Sequence, residues 1–260
     1  MKITLIGAGN LAWHLGSRLH EVGLGVVEVF SREEEKAKDL SQAIDCKYVT
    51  NLQLINKTSD LYIIAVPDSA IAEVAEILSK NIPQKALVVH TSGATPSAAT
   101  LGTFFQNYGV LYPLQSFSKS KKPNFLEIPI CIFANTEIKL KLIEIISHKI
   151  SDKVFYINDQ KRAILHLAAV FVNNFTNHLF HIAEQLLEKE KISFDLLKPL
   201  ITETVRKIEL QKPHLVQTGP AKRRDFVTIH SHEELLKNNN YLEYLQIYKS
   251  ITESILGNTH

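Results

Sequence analysis

Cysteine is almost missing: Cys46 and Cys131 are the only two, and no CxxC pair exists. That argues against a disulfide framework and a cysteine-rich zinc site, and no metal ligand set is expected; a reducing compartment fits best. Charge of one sign is also scarce. A net charge of +2 leaves no surplus to bind nucleic acid or an anionic membrane surface. Long apolar runs are lacking. The nearest, residues 164–180, is interrupted by His166, Asn173, Asn174, Thr176, Asn177 and His178, which excludes a lipid-facing helix. It reads as a helix buried on most sides, with polar groups aimed at something specific. Repeats and low-complexity tracts are absent too. A strand that opens at residue 3 leaves no room for a signal peptide, so a cytoplasmic location is expected. What remains is an ordinary globular composition, 45% hydrophobic over 260 residues, with room for one large domain or two medium ones.

The N-terminus carries the most information. An apolar run, Ile3 to Ile6, feeds into Gly7-Ala8-Gly9-Asn10-Leu11-Ala12, and a helical pattern follows. Strand, glycine turn and helix N-terminus in this order bind the pyrophosphate of a dinucleotide. Gly7 permits the sharp turn, and Gly9 has no side chain to hold phosphates away from the backbone. Ala12 allows the helix to pack closely on the sheet. The free N–H groups and positive dipole end of the helix then face the anion.

Strand-like and helix-like segments alternate through residue 157. Strands are expected at Ile3–Ile6, Gly25–Phe30, Leu61–Val66, Ala86–His90, Gly109–Leu114, Ile128–Ala134 and Lys153–Ile157, with early helices at Leu11–Val22, Arg32–Ile44 and Ser69–Lys80. Buried strands alternating with helices predict a parallel sheet covered on both faces, with right-handed crossovers. Beyond Ile157 the apolar spacing is helical, punctuated by Pro199, Pro213 and Pro220. The fold class is therefore α/β: a Rossmann-type dinucleotide-binding domain over 1–157 and an all-α domain over 158–260. The basic segment Ser118–Asn124 is either a solvated connection or a grip on phosphate or substrate.

The end of the second strand bears on cofactor choice. An NAD site places an acid there, about 20 residues past the glycine turn, to hold the ribose hydroxyls. This chain has Ser31-Arg32, while Glu28 lies inside the strand, too early to reach. A guanidinium and a hydroxyl suit a 2′-phosphate, which points to NADP, although Glu33, Glu34 and Glu35 add opposing charge. Two further strand ends, Val66-Pro67-Asp68 and His90-Thr91-Ser92-Gly93, should line the nicotinamide side of the cleft.

In the second half, His166, Asn173 and Asn177 follow a spacing of seven and four, one helical stripe, and Asn174, His178 and His181 form a neighbouring one. Buried amides and imidazoles without partners cost about 1–3 kcal/mol each, so they should face partners or a polar cleft. Gly219-Pro220 then breaks the chain before Arg223, Arg224 and Asp225, either a rigid turn that can clamp a carboxylate or phosphate or a capped turn with a surface salt bridge. Tyr241, Tyr244 and Tyr248 fit either subunit packing or a pocket wall.

The segments GAGNLAWHL, AVPDSAI, HTSGATPS, YPLQSFS, HLAAVFVNNFTNHL and TGPAKRRD, in that order, resemble the domain of unknown function 2520 family. Its members are regarded as NADP oxidoreductases with a Rossmann domain and a helical half of the 6-phosphogluconate dehydrogenase C-terminal type. More distantly the layout is similar to pyrroline-5-carboxylate reductase, ketopantoate reductase and the β-hydroxyacid dehydrogenases. The resemblance implies a homodimer built through the helical domains, with the active cleft between the two domains. It implies Gly7, Gly9, Asn10, Leu11, Ser31, Arg32, Pro67, Asp68 and Ser92, with Val66 beside them, around NADPH. It implies His166, Asn174, Arg223 and Asp225 around the substrate. The distant relatives carry a catalytic lysine four residues before an asparagine on the long helix, whereas here His166 is followed by Val170 and then Asn174, so their mechanism does not transfer directly. The function expected is hydride transfer between NADPH and a small carbonyl or imine, one bearing a carboxylate. His166 would protonate the product, Asn174 orient the reacting group, Arg223 hold the carboxylate and Asp225 fix or balance Arg223. A non-catalytic NADP(H)-binding regulatory or scaffold dimer, and hydride exchange with a deazaflavin, are the alternatives.

Overall fold

The computed structural model describes residues 1–257. Its first half carries strands β1 (Lys2–Ile6), β2 (Gly25–Phe30), β3 (Lys47–Val49), β4 (Leu61–Ile64), β5 (Leu87–His90), β6 (Asn107–Pro113), β7 (Ile130–Ala134) and β8 (Val154–Tyr156). Helices α1 (Asn10–Glu21), α2 (Glu34–Ala43), α3 (Ile71–Ser79), α4 (Ser97–Thr100) and α5 (Glu137–Ile150) lie between them. Every expected strand forms. The addition is β3, an edge strand of three residues, too short and too exposed to leave an apolar pattern.

These strands make one sheet in the order β3-β2-β1-β4-β5-β6-β7-β8. Strands β1 to β6 are parallel, but β7 pairs antiparallel with β6, and β8 runs with β7. The expectation of a wholly parallel sheet is corrected at this edge. A parallel crossover needs a dozen or more residues, usually a helix. Between Pro113 and Ile130 the only regular element is a short 3-10 turn, Phe125–Glu127, so the chain re-enters the sheet from the edge it has just left.

Alternation along the strands builds two cores. Ile3 and Leu5 of β1, with Val89 of β5 and Leu111 of β6, pack against Leu15 and Leu19 of α1, Leu40 of α2 and Ile146 of α5. Ile6, Ile64 and Val88 face the other way, onto Ile71, Val74, Ala75 and Leu78 of α3. Helices therefore cover both faces, as buried, non-alternating strands require.

The chain divides into two compact units, Met1–Phe171 and a second beginning at Val172. The division falls beyond the change of sequence character near residue 157, because helix α6 (Asp159–Ala169) packs on the sheet: Leu165 sits against Val110, Tyr112 and Cys131. A π-helical segment, Val170–Phe175, leads into α7 (Thr176–Lys189), followed by α8 (Lys198–Leu210), α9 (Pro220–Arg223), α10 (Phe226–Asn238) and α11 (Leu242–Gly257). The second unit is thus helical. No helix among the described residues is long and apolar enough to cross a membrane.

Residues 164–180 are helical but not buried on most sides. Ile164, Leu167, Phe171, Val172 and Phe175 are exposed, as are Asn173, Asn174, Asn177 and His178. The polar stripes inferred from spacing presuppose 3.6 residues per turn. The π-helical turn closes its bonds one residue later and interrupts that register.

Candidate functional site

Strand β1 ends at the place where the chain's winding reverses, with β2 on one side and β4 on the other, and in open parallel sheets such a point holds the ligand crevice. Gly7 donates to Phe30 O at 2.8 Å, and its φ of 120° bends the chain out of β1 toward α1. A Cβ at Gly7 would stand 2.2 Å from Ala65 O, so the turn closes against β4 only with glycine here. Gly9 is the converse case: a Cβ there would meet nothing within 4 Å, because the turn opens onto a cleft. The cleft measures about 520 Å³ and is lined by Gly7, Ala8, Gly9, Ser31, Arg32, Val66 and Pro67, together with Lys36 and residues of α3. Helix α1 starts beside it with no side-chain cap and no acid in its first turn, which leaves its amide groups free for an anion. These features fit the diphosphate of a dinucleotide.

At the end of β2, Ser31 is buried and its hydroxyl accepts from the Glu33 N–H at 3.1 Å. Arg32 is exposed at the cleft wall. Glu33 lines the same cleft, but Lys36 Nζ lies 2.7 Å from its carboxylate, and Glu34 accepts from the Tyr48 hydroxyl. Glu33 and Glu34 thus have partners other than Arg32. Glu28 is turned inward and accepts from Asn56 N–H at 2.7 Å, so it takes no part.

The remaining candidates on this unit divide by position. Asp68 opens a 3-10 turn immediately after Pro67 and is exposed. The side chains of Asn10 and Leu11 are engaged away from the cleft, which leaves their backbone amides at the start of α1: the Asn10 side-chain amide donates to Phe117 O at 3.2 Å, and Leu11 packs on the core. The basic segment Ser118–Asn124 folds over α1. Lys122 pairs with Glu21 at 2.7 Å, Lys119 lies over the Trp13 ring, and His14 Nε2 meets Ser118 O at 2.8 Å. Ser92 is buried, and its hydroxyl accepts from the N–H groups of Ala94 and Thr95. It shapes the turn after β5.

Beneath that turn lies a network the sequence did not disclose. Arg162 is wholly buried; its Nη1 donates to Asp159 Oδ1 at 2.7 Å and its Nη2 to Thr95 O. The Asp159 carboxylate also accepts from Ser97 N–H at 2.7 Å and from the Ser97 hydroxyl. Burial alone would raise the Asp159 carboxyl, but Arg162 and the Ser97 donors outweigh it and hold it below the usual range. His90 is wholly buried, with Nδ1 accepting from Ser92 N–H at 3.1 Å, which places its proton on Nε2. Burial first, then the Arg162 charge, push this imidazole down to about 3. It therefore stays neutral in the native state. Below about pH 6.5 the unfolded chain takes up a proton at His90 that the native protein refuses, so stability falls by about 1.4 kcal/mol per pH unit toward the native value. Urea unfolding from about pH 7 to about pH 5 should show a shallower decline in His90→Asn; parallel declines would contradict this.

Helix α6 brings His166 to the same edge. Its Nδ1 lies 3.1 Å from the Tyr112 hydroxyl, and its ring covers Gly93. Tyr112 was missed in the sequence, where it was one tyrosine in a strand; only its place in YPLQSFS could have singled it out.

Asn174, Arg223 and Asp225 belong to the second unit. Asn174 is exposed within the π-helical segment. Arg223 ends α9 and is exposed. Asp225 is the N-cap of α10: its carboxylate accepts from Thr228 N–H at 3.1 Å and the Thr228 hydroxyl at 2.7 Å, and these bonds, rather than Arg223, chiefly hold it low. Thr218, Gly219, Pro220 and Ala221, which precede this turn, line an apolar pocket of about 260 Å³, with Tyr244 and Tyr248 in its wall. Among the described residues no cluster of His, Cys, Asp and Glu could hold a metal ion.

Comparison with known proteins accords with this geometry. Residues 2–93 match the family described as NADP oxidoreductase coenzyme F420-dependent, and residues 128–255 match domain of unknown function 2520. The crystal structure of a "putative NADP oxidoreductase" from Bacteroides fragilis is 38% identical, with 99% of this chain and 98% of that one covered and a TM-score of 0.90. A reductive aminase from Aspergillus terreus, in complex with NADPH and ethyl-5-oxohexanoate, shares the fold at 15% identity (97% and 92% covered, TM-score 0.70). A pyrroline-5-carboxylate reductase from Coxiella burnetii shares it at 16% identity (99% and 96% covered, TM-score 0.57). No curated protein matches the chain. By class the chain is an NAD(P)-dependent oxidoreductase with a Rossmann-like sheet and a helical second half. It belongs to the domain of unknown function 2520 family of NADP oxidoreductases.

Proposed function

We propose that the protein uses NADPH to reduce a small carbonyl or imine substrate that bears a carboxylate, and that it works in the cytoplasm as a homodimer joined through its helical half. The observation that carries this reading is the cleft at the β1/β4 reversal, where the glycine turn meets Arg32 after β2 and Lys36 of α2. Gly7, Gly9 and the first turn of α1 would hold the diphosphate. Ser31 and Arg32 would hold the 2′-phosphate, and Val66, Pro67, Asp68 and Ser92 would border the nicotinamide side. NADPH, when bound, supplies a hydride. His166 gives the proton that the reduced oxygen or nitrogen needs, general acid catalysis being typically worth about 10²–10⁴-fold in rate. Asn174 orients the reacting group, and Arg223 binds the carboxylate in a bidentate fork. Asp225 serves Arg223 through the turn it caps. For the dimer, support comes from apolar side chains that the single chain leaves in water, such as Val227 at 83% and Leu210 at 84% exposure.

The test is NADPH oxidation with a panel of 2-oxo acids and cyclic imino acids. His166→Ala and Arg223→Ala should each lower turnover by about 10²-fold or more without weakening NADPH binding. Normal reduction by both variants would remove these roles. A second reading, hydride exchange with a deazaflavin, is favoured by the family that residues 2–93 match. Reduction of that acceptor, with no member of the panel consumed, would select it.

A further inference from the structure

His166 is held from two strands at once. On one side the Tyr112 hydroxyl of β6 lies 3.1 Å from Nδ1, with the two rings edge to face at 6.1 Å. On the other, the turn after β5 closes so tightly that a Cβ on Gly93 would stand 2.5 Å from His166 Nδ1 and 2.8 Å from Tyr112 Cζ. The half-buried ring is packed against both the Gly93 backbone and the tyrosine. Nδ1 is therefore engaged inside the protein, and Nε2 makes no hydrogen bond among the described residues.

We propose that Tyr112 is the positioning residue of His166: its oxygen accepts a hydrogen bond from Nδ1–H, so that Nε2 alone gains and loses the reacting proton. The inference rests on the reading of His166 as proton donor, and the chemistry of that step selects the direction of the bond. Reduction of a C=O or C=N bond adds a hydride to carbon, with its electron pair taken from the reduced nicotinamide, and a proton to oxygen or nitrogen. An imidazolium releases that proton from Nε2, leaving the N–H electron pair on Nε2 and a neutral ring protonated at Nδ1. In the opposite arrangement Tyr112 would donate to Nδ1. The neutral ring would then carry its proton on Nε2, and giving it up would leave an imidazolate. Tyr112 can stay an acceptor through both states because it remains a phenol. Burial, with Cys131 of β7 and Asp68 after β4 adding to it and Arg162 of α6 opposing, pushes it up to about 12. His90 of β5, neutral, and Asp159 of α6, paired with Arg162, are further ionisable groups near the turn after β5.

The experiment is nitrogen NMR on protein labelled at histidine, at a pH where the imidazoles are neutral, with His166→Gln used to assign the signal. Wild type should show His166 protonated at Nδ1 and bare at Nε2, the form a free histidine side chain disfavours. Tyr112→Phe should return the ring to the Nε2-protonated form, and Gly93→Ala, which pushes the ring off the tyrosine by a different route, should do the same. Stabilisation by NADPH reports that each variant is folded. An Nε2-protonated ring in wild type, or a signal unmoved in Tyr112→Phe, overturns the proposal. On a reduced substrate, Tyr112→Phe should lower kcat about tenfold or more and displace its pH profile, with the NADPH KM unchanged. If wild type reduces nothing in the panel, the reductase reading fails on that result, and the tautomer is decided by the spectra alone.

Discussion

Replacing Gly7 by alanine is expected to cost about 2–6 kcal/mol of stability. A non-glycine residue on this side of the φ axis carries roughly 1–3 kcal/mol of backbone strain. Forcing a methyl group into backbone that is already close-packed adds about 1–3 kcal/mol more. Both apply here, because φ is 120° and the methyl would lie 2.2 Å from Ala65 O and 2.8 Å from Ala65 C. Neither atom belongs to a flexible side chain, so β1 and β4 would have to part where their hydrogen bonds end. For a domain of this size the midpoint of thermal unfolding should drop by on the order of 10 °C. Gly9→Ala is the matched control. Its methyl enters open space, so the midpoint without ligand should stay within about 1–2 °C, while stabilisation by NADPH shrinks because the methyl stands where phosphate approaches. Equal midpoints for the two variants would refute this account of the turn.

The second large effect is expected at Arg162. Replacing it by leucine should destabilise the first unit by about 3–5 kcal/mol, the range found when one partner of a buried ion pair is removed. The lower end is the better estimate, because Asp159 retains 23% side-chain exposure and can recover some hydration. The loss has a specific address: Thr95 O loses its donor, and the Asp159 carboxylate loses its charged partner under the turn after β5. The turn carries Ser92 and Gly93, so the damage should reach the site. Hydrogen exchange at the amides of Ala94, Thr95 and Ser97 should accelerate more than exchange in β1. Uniform acceleration across the sheet would mean that the network supports the fold as a whole rather than the turn.

The parts of the molecule that sequence disclosed are those set by local rules. Ile3–Ile6 followed by Gly7-Ala8-Gly9 specifies a buried strand, a turn and an uncapped helix within a dozen residues, and Ser31-Arg32 ends the strand that must lie beside it. The reversal of β7 was hidden because it follows from a missing helix between residues 113 and 130, and a basic, proline-containing segment there reads equally well as a loop in either topology. The Tyr112–His166 pair and the Arg162–Asp159–Ser97 network join residues 54 and 62 positions apart. No periodicity relates such residues; only the packing of α6 on the sheet brings them together. The stripe drawn through Asn173 and Asn177 failed for a local reason, a π-helical turn whose wider spacing carries no clear signature in composition. Asp225 illustrates the opposite ambiguity. An acid before a helix is both a cap and a charge, and the hydrogen bonds to Thr228 show which duty its oxygens perform in the folded chain.

The central claim is that the cleft at the β1/β4 reversal holds NADPH and prefers it through Arg32. The direct measurement is thermal unfolding of wild type and Arg32→Ala with NADPH, with NADH and with neither. A ligand bound only to the folded state adds about 2.7 kcal/mol at 100 times its dissociation constant, which is readily seen in the midpoint. Wild type should be strongly stabilised by NADPH and weakly by NADH. Loss of a charge-assisted contact worth about 1.5–3 kcal/mol should bring NADPH down to the level of NADH in Arg32→Ala. A midpoint unmoved by either nucleotide would contradict the assignment of the cleft, and with it the reductase reading.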